Sequence, residues 1–132
     1  MAVASQDFIE LFQCLNAHRV SFLIVGGYAV AWHGYPRYTG DLDLFIKPDL
    51  QNAQNILLAL EDFGFKGLEL TAQDFIDPSA LISLGYPPER VDFVCDIDDV
   101  SWEEAWNARS LGEFGPIKVP FLGIDELIKN KL

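Results

Sequence analysis

Basic residues are scarce in this chain. Its 132 residues hold 9 Lys and Arg against 20 Asp and Glu, a formal net charge of −11. General binding to DNA or RNA needs clustered Lys and Arg to meet the phosphate backbone. Composition therefore argues against it, and against docking on an anionic membrane. A nucleotide substrate stays open, because bound divalent cations carry phosphates into an acidic site. Cysteine is also sparse. Cys14 and Cys95 each sit among apolar residues, which reads as two buried free thiols and gives no disulfide framework or zinc cluster. Long apolar runs are missing, so no membrane span is expected. The N-terminus lacks the basic and apolar regions of a signal peptide, and the expected location is cytoplasmic. There is no internal repeat, low-complexity tract or linker. Residues 1–132 read as one domain.

Apolar residues make up 50% of the chain and Phe occupies 10 positions, enough for a packed core. Residues 5–18 read as a helix, with Phe8, Leu11, Phe12 and Leu15 on one stripe and Ser5 as its N-cap. Val20–Val25 reads as a buried strand ended by Gly26–Gly27, and Tyr28–His33 as a short helix. Asp41–Lys47 alternates, with Asp41, Asp43 and Phe45 on one face and Leu42, Leu44 and Ile46 on the other. A helix capped by Asp49 runs to about Phe63 and Gly64, with Leu50, Ala53, Leu57, Leu60 and Phe63 as its buried stripe. Ala80–Leu84 and Arg90–Ile97 read as strands joined by a turn over 85–89. Ser101 and Glu104 form a capping box for a helix to about Ala108. Ile117–Phe121 reads as a strand, and residues 123–132 as a last helix. The order implies an α/β (α+β) fold with a small mixed sheet flanked by helices.

Three features carry chemistry. Gly26–Gly27 lies between a strand and a helix start, where glycines let backbone N–H groups approach a phosphate. Alone it also reads as a tight turn. Asp41 and Asp43 share a strand face, and paired hard oxygen ligands of this kind suit Mg²⁺. Alone, the pair also reads as an exposed acidic face. Asp92 stands inside an apolar strand, where a carboxylate is costly unless solvated, paired or bound to metal. Were that strand beside Asp41–Lys47, Asp92 would complete a three-carboxylate site. Asp96, Asp98 and Asp99 are rivals at the strand end. His33, in an apolar stretch, reads as structural.

The spacing joins these features. Val25-Gly26-Gly27 is followed by thirteen residues and then Asp41-Leu42-Asp43-Leu44. This resembles the nucleotidyltransferase superfamily motif, an apolar-Gly-Gly turn followed by Asp-apolar-Asp-apolar. The stretches Gly27–Gly34 and Arg37–Asp43, then Pro87–Asp92, Glu104–Trp106, Val119–Phe121 and Leu127–Lys131, resemble the AbiEii-like branch, which includes toxin-type enzymes. Relatives continue past the Asn-Lys pair with a basic segment. This sequence reads Asn130-Lys131-Leu132 there, leaving Lys131 as the candidate at that end.

The resemblance implies a nucleotidyltransferase fold and Mg²⁺-dependent transfer of a nucleoside monophosphate from an NTP to an acceptor hydroxyl. Asp41, Asp43 and Asp92 would hold two Mg²⁺ ions. Gly26 and Gly27 would hold the triphosphate, with Arg37 and Thr39 contacting phosphate or fixing the loop. For Arg37 a surface salt bridge is the competing reading. The acceptor class is open between protein, small molecule and RNA, and the implied setting is toxin–antitoxin or phage defence. A second reading is a catalytically inactive module of the same fold that senses a nucleotide or binds a protein partner. An exposed Trp102 or Trp106 would favour it. A third is a structural α/β protein with an incidental acidic cluster.

Overall fold

A computed structural model describes residues 6–35, 40–65, 69–85 and 90–131. Ser5, Arg37, Thr39 and most of the expected turn at 85–89 lie outside the described residues, as does the side chain of Lys131.

The elements run α1 (Gln6–Ala17), β1 (Phe22–Val25), α2 (Gly26–Trp32), β2 (Leu42–Ile46) and α3 (Leu50–Phe63). A 3-10 turn at Ala72–Phe75 precedes β3 (Leu81–Leu84) and β4 (Val91–Val94). Then come α4 (Trp102–Asn107), β5 (Ser110–Phe114), β6 (Ile117–Phe121) and α5 (Ile124–Lys131). The strands form one six-stranded mixed sheet in the order β3-β4-β2-β1-β6-β5. β1 is antiparallel to β2 and parallel to β6; β2 is parallel to β4; β3–β4 and β5–β6 are antiparallel.

Strand alternation assigns the two faces. Phe12 of α1 stacks on Phe22 at 5.7 Å between ring centroids, so Phe22 and Ile24 point toward α1. The register sets Ile46 opposite Phe22 and Leu44 opposite Ile24, which gives β2 the same inner face. Phe8, Phe12, Tyr28 and Phe114 close this layer with edge-to-face and tilted ring contacts. The other face carries Leu23, Asp43 and Phe45. Phe45 is 1% exposed, although the sequence pattern puts it on the acidic face. The reason is Trp102 of α4, which meets its ring edge-on at 5.2 Å. Trp102 is buried and Trp106 half-buried, so neither is the exposed tryptophan that would mark a partner surface.

Helix α3 is capped as the sequence implies. The Asp49 side chain accepts from Asn52 N–H at 2.7 Å, and Gly64 closes the helix at φ 115°. Its buried face is different. Leu50 is exposed and Leu57 and Phe63 are only partly buried, while Asn52, Ala53, Ile56, Ala59 and Leu60 turn inward. Asn52 explains the rotation, because its amide ties the helix to the sheet. Its Oδ1 accepts from Ser21 N–H at 2.7 Å, and its Nδ2 donates to the carbonyls of Ser21 at 3.0 Å and Lys47 at 3.1 Å. Asn52→Ala removes these three part-buried hydrogen bonds, leaving the Ser21 carbonyl only the Lys47 N–H, and is expected to cost about 2–3 kcal/mol, read as a fall in the urea midpoint at unchanged slope.

The sequence pattern shows only the second strand of the β5–β6 hairpin. Gly112 sits within β5, and a Cβ there would come 2.5–2.6 Å from the Trp32 indole. That close approach lets Trp32 stack on Phe121 at 4.5 Å, and it is why a weak strand former occupies the position. Helix α2 begins at Gly26 itself, two residues earlier than expected.

Both cysteines are free, but only Cys95 is buried; Cys14 is partly exposed. Burial pushes the Cys95 thiol up, and the Asp96 and Asp77 carboxylates push it further. Burial, Asp62 and Glu10 do the same for Cys14. A raised pKa means less thiolate at pH 8. Iodoacetamide is therefore expected to label Cys95 at least about tenfold more slowly in the native chain than in urea, with Cys14 intermediate.

Candidate functional site

The topology brings four strand ends to one edge of the sheet. β1 ends there, its antiparallel neighbour β2 starts there, and so does β4, which is parallel to β2. β3 ends there beside β4. The residues at these ends are Val25 and Gly26, Asp41 and Asp43, Arg90 and Asp92, and Ser83 with Leu84.

The register places Asp43 directly opposite Asp92, with Val25 opposite Asp43 on its other side and Ser83 opposite Asp92. Cross-strand partners share a face, so Asp43, Asp92 and Ser83 point the same way. This is the side away from α1. The juxtaposition of β2 with the Asp92 strand, which the sequence leaves conditional, is met. Asp41 lies one residue before β2 rather than within it, and its neighbour Leu42 donates its N–H to the Arg90 carbonyl at 2.9 Å. The rivals do not join. Asp96, Asp98 and Asp99 lie beyond the end of β4, all three exposed, away from the edge that holds Asp92.

Asp92 is 7% exposed, and among the described residues it is the one ionisable carboxylate in the buried set. Its charge is met in two ways. Ser83 Oγ donates to Oδ1 at 2.7 Å. Arg90 sets Nε 3.2 Å from Oδ1 and donates from Nη2 to Oδ2 at 3.4 Å. The same Nη2 lies 2.9 Å from Asp41 Oδ2. Arg90 thus bridges two of the three predicted carboxylates. The fit is incomplete. Asp41 Oδ1 is buried without a hydrogen-bond partner, and so is Arg90 Nε, whose approach to Asp92 has the distance of an ion pair but not the direction of a hydrogen bond. A buried polar atom left so costs about 1–3 kcal/mol.

Gly26 packs against the same cluster. Its φ is 67°, and a Cβ there would overlap the Asp43 carboxylate, 3.0 Å from Cγ and 3.2 Å from Cβ. The β1–α2 turn therefore lies against Asp43. Gly27 follows in the first turn of α2, whose initial N–H groups have no partners within the helix. His33 is structural, since its Nε2 lies 2.8 Å from the Leu122 carbonyl and joins α2 to the segment after β6.

Arg90 and Ser83 are the residues that sequence reasoning missed. The signal for Arg90 was present. An Arg two residues before an Asp on a strand shares its face. Ser83 needed knowledge of the β3–β4 register.

The donor chemistry fits a hard divalent cation. Two carboxylates stand in cross-strand register, a third stands at the same sheet edge, and one oxygen of that third, Asp41, is buried and unmet. Among the described residues no group of three His, Cys, Asp or Glu side chains is already gathered as a metal cage. Mg²⁺ needs no such cage, because it takes one or two carboxylates and completes its shell with water and substrate phosphate.

No protein-family model matches the chain, and no curated protein sequence matches it. A solved structure does. The chain is similar to a protein from Thermotoga maritima, provisionally assigned as a nucleotidyltransferase and known by its crystal structure. The match has a TM-score of 0.63 at 18% identity and covers 92% of this chain and 78% of that one. At that identity the likeness bears on the fold, and the nucleotidyltransferase fold expected from the sequence motif is the fold of this chain. Among the described residues no helix is long and apolar enough to cross a membrane.

Proposed function

We propose that this chain is a Mg²⁺-dependent nucleotidyltransferase. The observation that carries the reading is the cross-strand pairing of Asp43 with Asp92, beside Asp41 and against the Gly26 turn, on a nucleotidyltransferase fold. Asp41, Asp43 and Asp92 would hold up to two Mg²⁺ ions. Bound there, the metal supplies charge stabilisation at the attacking and leaving oxygens of an in-line displacement. Gly26 and Gly27 would present backbone N–H groups to the triphosphate, and Arg37, Thr39 and Lys131 are the further phosphate candidates. Asp92, the most buried of the three carboxylates, would accept the proton of the acceptor hydroxyl. Ser83 holds Oδ1 of Asp92 and so fixes its direction.

In this reaction the acceptor oxygen bonds to the α-phosphorus, the bond from that phosphorus to the α–β bridging oxygen breaks, and pyrophosphate leaves. The resemblance to the AbiEii-like branch adds a toxin–antitoxin or defence setting in the cytoplasm. The acceptor is a protein, a small molecule or an RNA, and the net charge of −11 favours the first two.

The test uses NTPs labelled at the α- or the γ-phosphorus, with Mg²⁺ and a cell extract as the source of acceptor. Transfer of α label, with pyrophosphate released, is expected. Transfer of γ label alone would identify a kinase and overturn the reading. Nucleotide binding without transfer of either label would favour the non-catalytic sensing or protein-binding module instead.

A further inference from the structure

The carboxylate cluster already holds a cation of its own. We propose that Arg90 is the resident counter-ion of Asp41 and Asp92, and that a divalent metal enters by displacing its guanidinium from Asp41. The inference rests on the metal-site reading above and adds how access to that site is controlled.

Geometry restricts what can move. The Arg90 carbonyl accepts from Leu42 N–H at 2.9 Å, so its backbone is fixed beside the start of β2. Only the side chain is free to leave. That side chain is 38% exposed and has a path to solvent, whereas the Asp92 side chain is 10% exposed. Its contacts are those of a placeholder. Nη2 is shared between Asp41 Oδ2 at 2.9 Å and Asp92 Oδ2 at 3.4 Å. Nε is buried without a hydrogen bond, and Asp41 Oδ1 is equally unmet. A settled structural ion pair satisfies its buried atoms; this one leaves an orphan on each partner.

Charge argues the same way. The Arg90 guanidinium offsets part of the negative charge of Asp41 and Asp92, and a divalent cation at these carboxylates competes with it for the same oxygens. Removing Arg90 should therefore tighten metal binding while destabilising the metal-free chain.

The experiment measures Mn²⁺ binding by electron paramagnetic resonance, without nucleotide, on wild type, Arg90→Gln and Arg90→Lys. Arg90→Gln is expected to bind about tenfold more tightly than wild type, because a positive charge within a few ångströms of the ion is gone. Its melting temperature should fall without Mn²⁺ and recover with it. Arg90→Lys should show a smaller gain, because an ammonium cannot bridge both carboxylates. Should Arg90→Gln fail to fold, the Lys variant decides alone. Wild-type binding with no gain in the variants would mean that Arg90 orders the carboxylates rather than competes for them; the proposal falls and the metal site stands. No Mn²⁺ binding by any of the three would overturn the metal-site reading and the proposal with it.

Discussion

Asp43→Asn is expected to lose about a thousand-fold in nucleotidyl transfer, since metal stabilisation of the transition state is worth several kcal/mol and each 1.4 kcal/mol is about tenfold. The metal-free protein should not lose stability in step. Asp43 lies opposite Asp92 in the parallel β2–β4 ladder, where the Asp92 charge is already met by Arg90 and Ser83. The Asn side chain keeps the shape and can still hydrogen-bond, so the melting temperature without Mg²⁺ should change little. Stabilisation by added Mg²⁺ and nucleotide should vanish. Transfer assays and thermal melts on one preparation check both halves. Retained activity would remove Asp43 from the reaction. A large fall in melting temperature would make it a structural residue.

Gly26→Ala should damage fold and site together. A left-handed conformation costs an L-residue about 1–2 kcal/mol, and Gly26 has φ 67°. The added methyl also meets Asp43, 3.0 Å from Cγ. Together these should cost about 2–4 kcal/mol in urea unfolding. The two effects separate in the binding readout. Backbone strain alone lowers stability and spares the surviving folded molecules. The clash falls on a carboxylate of the site, so Mg²⁺-dependent nucleotide binding should weaken even where the chain is fully folded. A Gly26→Ala chain with unchanged stability and binding would contradict the close approach of the β1–α2 turn to Asp43.

Much of the candidate site's geometry was legible because strand alternation is a strict rule. The period of two put Asp41 and Asp43 on one face, and the isolated Asp in an apolar strand marked Asp92. Their pairing was not legible, since register depends on which strands become neighbours. Local chemistry was also readable where it is self-contained, as at Asp49 and Gly64 around α3. It failed where tertiary contacts decide. The burial of Phe45 depends on Trp102, fifty-seven positions away in the sequence. The turn of α3 toward Asn52 depends on the carbonyls of Ser21 and Lys47. Strand β5 was hidden by Gly112, which admits the Trp32 indole. Arg90 was half legible: two residues before Asp92 on a strand, it shares that residue's face, but such an Arg reads as a surface pair until the buried, unmet atoms are seen.

The central claim is a metal-dependent nucleotide site built on Asp41, Asp43 and Asp92. Calorimetric titration of the wild-type chain with each of the four NTPs, with and without Mg²⁺, beside the Asp41→Asn/Asp43→Asn double variant, tests it most directly. The account predicts binding of at least one NTP that needs Mg²⁺ and is lost in the double variant. Binding that is indifferent to Mg²⁺ and to the two substitutions, or no binding by a folded wild-type chain, would contradict it.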